Sequence, residues 1–552
     1  MLVRGRLPCT ILLFAALLVT GTPSLSAAAA APLKVQAASP PDHPIEHRPG
    51  GSSGQPHGYI PCDLYNAYHL NGTALDGTGV TIAIIDWYLQ PSIRSDLRAF
   101  DQAFGLPNPP SFDVVFPFGR PTQTDTSDET ALDVEWAHAM APGARIVLVE
   151  TNLDEGIFNA IRYSAQALNA DVVSMSWGTG ELGFSRQELQ QRDQLMVPLT
   201  GNGHPVTYLA AAMDTGFQNA TRSAPVPPVS GTAWPAAAPG AIGVGGTSLA
   251  PSAFGRSSFP ASHTGCSGAD PATAGVTQQN ETVWGNQCSV PTGNPCGGTG
   301  GGPSTFDSRP AWQTTSFSKR TIPDLSMLAD PETGVAVYSF GAWVNGLIGG
   351  TSLATPMWAG IVARLDQKRH SIGLPSLGVS QSWSWPYAAP SQALNDIVTG
   401  SSPAYPNDPC PASLGEMNCA AHAGYDLSTG RGSPSLQALL SALAKPTTLR
   451  LSSSSAAGLT AGETLQLTAR VSQALGDPAG SVRFSLDGRA AGGAVVLSSD
   501  QAGMDLTIQD AGPHTVTAAF TTDPGDPVFG ASQGSLALTV SPAPEPPSTG
   551  GG

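Results

Sequence analysis

The sequence predicts a mostly parallel α/β sheet flanked by helices over residues 59–445, followed by a small all-β sandwich over residues 446–541. Three observations predict it. Short apolar runs (Val80–Ile85, Arg145–Glu150, Asp171–Ser176, Val206–Ala212 and Gly240–Val244) alternate with amphipathic segments in the first region, the pattern of buried strands and covering helices. Beyond Pro446 the period changes to two: Leu465, Leu467, Ala469 and Val471; Val482, Phe484 and Leu486; Val516, Ala518 and Phe520; Leu536, Leu538 and Val540. Gly, Asp and Pro punctuate these later runs, which reads as a sandwich of short strands. A chain of 552 residues has room for both cores.

The ends read differently. Arg4 and Arg6 precede an apolar run from Cys9 to Val19 and then small residues, so residues 1–30 are expected to be a secretory signal and the protein to be extracellular. That run is too short to span a bilayer, and no membrane span is expected after its removal. Residues 31–58, rich in Pro, Gly, Ser and Ala, read as a flexible linker, and the Pro/Gly-rich tail 542–552 as disordered. Six cysteines remain beyond the signal, an even number that suits disulfides in an exported chain. Cys410–Cys419 and a pair within Cys266, Cys288 and Cys296 are the local pairings expected. Lys+Arg 25 against Asp+Glu 41 gives a net charge of −16, which argues against nucleic-acid partners.

Chemistry concentrates in two segments. Gly350-Thr351-Ser352, with Pro356 one turn on, places a serine at a helix start after a glycine that permits close backbone approach. A serine needs a base to become a nucleophile. Ser127-Asp128-Glu129 opens a predicted helix of about three turns closed by Pro142-Gly143, with Ser127 as its cap. On that helix Glu129 and Asp133 are four apart and share a face, where two carboxyls hold a proton between them in acid. Glu135 falls on another face, and His138 reads as a packed or solvated side chain. Asp86, at the end of a strand, reads as structural.

The serine turn resembles that of the subtilisin-type peptidases, but their His-Gly-Thr-His segment is nowhere in the chain. With Glu129, Asp133, then Asp214 in Ala212-Met213-Asp214-Thr215-Gly216, then Ser352, the chain resembles the sedolisins, or serine-carboxyl peptidases, whose base is a glutamate. Val173-Ser174-Met175-Ser176-Trp177-Gly178, Trp234-Pro235-Ala236-Ala237 and Gly300-Gly301-Gly302-Pro303 agree with it in order. The resemblance implies a subtilisin-like fold and a secreted endopeptidase acting on protein or peptide substrates at acidic pH. It implies Ser352 as nucleophile, Glu129 as base, Asp133 as its partner and Asp214 as a protonated donor to the oxyanion.

It further implies one structural Ca²⁺, held by carboxyl oxygens of Asp396 and Asp426 and by carbonyls of Ile397, His422 and Gly424. Two departures stand out: no full prodomain is evident before residue 59, and Met213 replaces a usual glycine. Residues 446–541 resemble bacterial Ig-like repeats, read as a spacer or a surface-binding module. The competing reading is a catalytically inactive peptidase-like protein that binds or adheres.

Overall fold

The computed structural model describes residues 45–49, 54–71, 73–217, 232–256, 274–285, 297–379, 384–402, 419–443, 447–454, 459–472, 480–522 and 532–544. The expected signal, residues 545–552 of the expected tail, and Cys266, Cys288, Cys296 and Cys410 lie outside them. Among the described residues no helix is long and apolar enough to cross a membrane.

The core is a parallel sheet whose strands run, from one edge, Ile242–Leu249, Thr207–Ala211, Val172–Met175, Thr81–Trp87, Arg145–Thr151 and Phe112–Val115. Leu325–Leu328 adds in parallel to Ile242–Leu249, and Glu281–Val283 adds antiparallel to its far end. Strand Val172–Met175 is buried at every position, as a sheet covered on both faces requires. The five apolar runs in the sequence all become strands of this sheet. Phe112–Val115, Leu325–Leu328 and Glu281–Val283 are additions that hydrophobic pattern did not single out, the first because it is half-buried throughout.

The helices that matter are α1 (Pro61–Ala67), α2 (Ile93–Phe104), α3 (Glu129–Met140), α4 (Glu155–Gln166), α5 (Arg186–Asp193) and α6 (Thr351–Ser371). Helix α3 is buried at all of its residues, charged ones included. Its cap is Asp128 rather than Ser127, because the Ser127 hydroxyl bonds back to Asp125 at 2.9 Å. Helices α3 and α6 cross closely at Gly360, where an added Cβ would lie 2.3 Å from the Met140 Cβ and 3.1 Å from the Ala137 carbonyl. Gly360→Ala is therefore expected to cost about 1–3 kcal/mol of stability through overpacking, read as a shifted urea midpoint.

The linker expected over 31–58 contains a strand. Glu46–Pro49 pairs antiparallel with Gly346–Gly349, just before the serine turn. Backbone groups on an unpaired strand edge accept any complementary strand, which composition alone does not reveal.

The C-terminal region is all-β, with a three-stranded sheet (Thr448–Ser453, Thr464–Ser472, Gln501–Thr507) and a larger one built on Gly480–Leu486, Gly512–Thr522 and Ser532–Ser541. Leu465, Leu467, Ala469, Val471, Val482, Phe484, Val516, Ala518 and Phe520 form its core, while Leu486 and Leu536 are only partly buried.

Candidate active site

Strand ends deliver the site. Asp86 lies near the end of Thr81–Trp87, Ser176 follows Val172–Met175, and Asp214 follows Thr207–Ala211. All three stand at the carboxyl ends of parallel strands, where such sheets open a crevice. Across it come the first two turns of α3, with Glu129 and Asp133, and the first turn of α6, with Ser352.

Gly350 makes the serine turn possible. Its φ of 105° lies outside the range that side chains tolerate, and its N–H bonds to the Ala329 carbonyl at 2.6 Å. Pro356 lacks an N–H, so the Ser352 carbonyl loses its helical partner. The Ser176 hydroxyl takes that place, donating to the Ser352 carbonyl at 3.3 Å. Thr351 fastens the turn to the next strand: its N–H and its hydroxyl both donate to Asp214 Oδ1 at 2.8 Å. The Thr351 hydroxyl oxygen in turn accepts from the Met213 N–H at 3.1 Å.

Met213 holds a φ of 76°. The left-handed backbone at this position is what a glycine adopts at no cost, and a methionine there carries about 1–2 kcal/mol of strain. The departure noted in the sequence thus falls at a position whose backbone a glycine would adopt without strain.

The four sequence-identified residues converge. Glu129, Asp133 and Ser352 are fully buried and Asp214 nearly so. The Ser352 hydroxyl donates to the Ser176 carbonyl at 3.4 Å and lies close enough to the Glu129 carboxyl to favour its ionised form. Burial pushes Glu129 well above the usual carboxyl range, and the neighbouring charges of Asp133, Asp86 and Asp214 push it the same way. Asp133 is raised by burial and by Asp86, opposed by the nearby Ser176 hydroxyl. Asp86, read from sequence as structural, sits fully buried in the same group, raised by burial and by Asp125 and Glu150. Carboxyls packed this tightly share retained protons. The strand-end position of Asp86 was legible in the sequence; its place among these carboxyls was not, because the packing of α3 across its strand sets it.

His138 is the packed alternative. Its ring is buried at the other end of α3, 3.2 Å from Asp101 and 2.9 Å from the Pro107 carbonyl. Glu135 is buried elsewhere and accepts from the Tyr338 N–H at 3.0 Å. Neither belongs to the serine site.

The chain resembles known proteins in sequence and in fold. Residues 124–380 match the model of the subtilase family. The chain is 31% identical over 413 residues to kumamolisin of Bacillus sp. (strain MN-32), covering 71% of this chain and 64% of that protein. It is 26% identical over 397 residues to sedolisin of Pseudomonas sp. (strain 101), covering 69% and 60%. Over these longer matches the chain is similar to kumamolisin and sedolisin. Its fold matches the solved Pseudomonas sedolisin complexed with two molecules of pseudo-iodotyrostatin, with a TM-score of 0.56 and 24% identity, over 70% of this chain and 98% of that one. Residues 451–541 match a bacterial Ig-like domain (group 3). The chain thus spans under two thirds of the length of these two curated relatives.

The residues expected to hold calcium also come together in part. The loop from His422 to Asp426 ties both aspartates: the Gly424 N–H donates to Asp396 Oδ2 at 2.9 Å and the His422 N–H to Asp426 Oδ2 at 3.4 Å. Ile397 is buried, so only its carbonyl is available to an ion. Burial raises both Asp396 and Asp426, the latter to about 6, as for carboxylates that lack a full counter-charge. Hard oxygens of this kind fit calcium. Against that, Asp426 Oδ1 already accepts from the Ser428 and Thr429 N–H groups, and Arg431 lines the 260 Å³ cavity beside Asp396 and Gly424. Among the described residues no cluster of three or more acidic, histidine or cysteine side chains is poised around a metal position.

Proposed function

We propose that this protein is a secreted serine-carboxyl endopeptidase that hydrolyses peptide bonds at acidic pH. The observation that carries the reading is the approach of the Ser352 hydroxyl to the buried Glu129 carboxyl, in a chain that lacks the His-Gly-Thr-His segment of the subtilisin-type peptidases.

In this reading Ser352 Oγ attacks the scissile carbonyl while its proton passes to Glu129. The C–N bond then breaks, Glu129 returns the proton to the departing amine, and water hydrolyses the acyl-enzyme by the reverse sequence. Asp133 positions Glu129 and tunes its acidity. Asp214, oriented by Thr351 through Oδ1, donates from its protonated form to the developing oxyanion, beside a backbone N–H near Ser352. A carboxylic acid donates only while it keeps its proton, so turnover belongs to acidic solution. Ser352 is fully buried, so a substrate reaches it only when what covers the hydroxyl opens.

The test is cleavage of a denatured protein by the full chain at pH 4 and at pH 8. Fragments at pH 4 and little at pH 8 support the proposal; a rate that peaks above neutrality overturns the carboxyl mechanism. No cleavage at either pH would favour an inactive binding protein.

A single Ca²⁺ at Asp396 and Asp426, with the Ile397, His422 and Gly424 carbonyls, would brace the loop beside the last strands. Dialysis against EDTA is then expected to lower the thermal midpoint and added calcium to restore it; an unchanged midpoint removes the ion. Export through residues 1–30 and disulfides, with Cys419 not a free thiol, belong to the same reading, as does a spacer or surface-binding role for the Ig-like domain.

A further inference from the structure

A second carboxyl pair lies away from the serine site. A cavity of about 850 Å³ opens beside the end of α5 and the end of strand Gly298–Ser308. Asp193 and Asp307 line it together with Gln190, Gln194, Met196 and Val379, and no member of the serine site does. Asp307 is 8% exposed, and its Oδ2 is buried with no hydrogen-bond partner. Asp193 has one, the Trp234 indole N–H at 3.0 Å. A buried carboxylate without a donor is costly, so its retention calls for an explanation.

We propose that this cavity binds the basic side chain of a peptide, a guanidinium or ammonium on an aliphatic stem, with Asp307 and Asp193 taking the charge and Met196 and Val379 the stem. The inference does not depend on the peptidase reading. The cations nearest Asp307 are held elsewhere: Arg320 by Asp324 at 2.5 Å, Lys319 by the Thr305 carbonyl at 2.9 Å, and Arg186 by the Phe306 carbonyl at 3.2 Å. None of them fills the carboxylate's coordination. A calcium ion needs six to eight oxygens at one point, whereas this space is large, partly apolar and lined by two carboxylates. A net charge of −16 draws basic segments toward the surface.

Acid should empty the site. Burial, then the charges of Asp307 and Glu181, push Asp193 up to about 7, opposed by the Trp234 N–H; burial also raises Asp307, opposed by Arg320, Lys319 and Arg186. The charged carboxylates that a cation requires are lost as pH falls through those raised values.

The experiment is calorimetric titration of the full chain with N-acetyl-arginine methylamide, against its neutral isostere N-acetyl-citrulline methylamide. At pH 8 the arginine probe is expected to bind at one saturable site, at least about tenfold more tightly than the citrulline probe and at least about tenfold more tightly than at pH 5. Asp307→Asn should remove that preference. Gln194→Arg, at an exposed rim position, should place a guanidinium in the cavity and weaken the probe by a similar factor without disturbing the core. Absence of saturable binding, equal binding of the two probes, or unchanged affinity in Asp307→Asn or, if that variant does not fold, in Gln194→Arg overturns the proposal.

Discussion

Ser352→Ala and Glu129→Gln are each expected to lower kcat/KM for a peptide substrate by about 10⁴-fold or more, and the double variant little further. Groups that act as one unit lose their effect together, so the second substitution has nothing left to remove. The glutamate variant has a second, opposite signature. Glu129 is fully buried, and both burial and the charges of Asp133, Asp86 and Asp214 hold its carboxyl above the ordinary range. At neutral pH the fold carries the cost of either charging that group or keeping it protonated against solvent. Gln removes the cost while preserving shape, so Glu129→Gln is expected to unfold at a higher urea concentration at pH 7 than the natural protein. Activity measured on peptides and stability measured by denaturation should therefore move in opposite directions. A variant that is less stable, or that still cleaves, would remove Glu129 from the role proposed for it.

Stability of the whole chain is expected to rise as the solution becomes acidic, by several kcal/mol between pH 8 and about pH 4.5. Glu281 is the clearest contributor. It is fully buried, accepts from the hydroxyls of Thr247 and Ser433 and the amide of Asn395, and is raised by burial to about 7. Glu150 and Asp193 are likewise raised to about 7, mainly by burial, and Glu129, Asp133, Asp86, Glu135 and Asp366 well above their ordinary values. A folded-state value above the unfolded one means that the fold binds the extra proton. The contribution is complete below about pH 4 and is lost as pH rises through about 7; for Glu281 alone it is about 3 kcal/mol. Asp171 and Asp113 act the other way. Hydrogen bonds from His204 and Ser376 lower the first against its burial, and Arg145 lowers the second, so their contribution disappears as pH falls below about 4. Urea midpoints measured from pH 3 to pH 8 should pass through a maximum on the acid side of neutrality. A maximum at pH 7 or above would contradict the balance of raised over lowered carboxyls.

Several parts of this arrangement were legible in the residues. The run Val80–Ile85 is largely apolar without alternation because both faces of the sheet are covered, and it became a strand. Glu129 and Asp133 share a helix face because four residues make about one turn, and that face meets Ser352. Other features were not legible. Phe112–Val115 lies half-buried at a sheet edge and has no strong apolar period. The strand Glu46–Pro49 owes its existence to an open edge at Gly346–Gly349, not to its own composition. Asp86 joins the carboxyl group through the packing of α3 across its strand, a contact between residues about forty positions apart.

What the sequence by itself determined is local: the periods of strands and helices, the glycine and proline of the serine turn, the carboxyl spacing on α3, and an ordered set of motifs that resembles the sedolisins. What only the tertiary structure decided is how charge is held. The buried carboxyls Asp86, Glu129 and Asp133, the orphaned Asp307 and the tethering of Asp214 by Thr351 all arise where distant segments meet. The physical reason is that acidity and hydrogen bonding depend on desolvation and on neighbours in space, and a linear pattern carries neither.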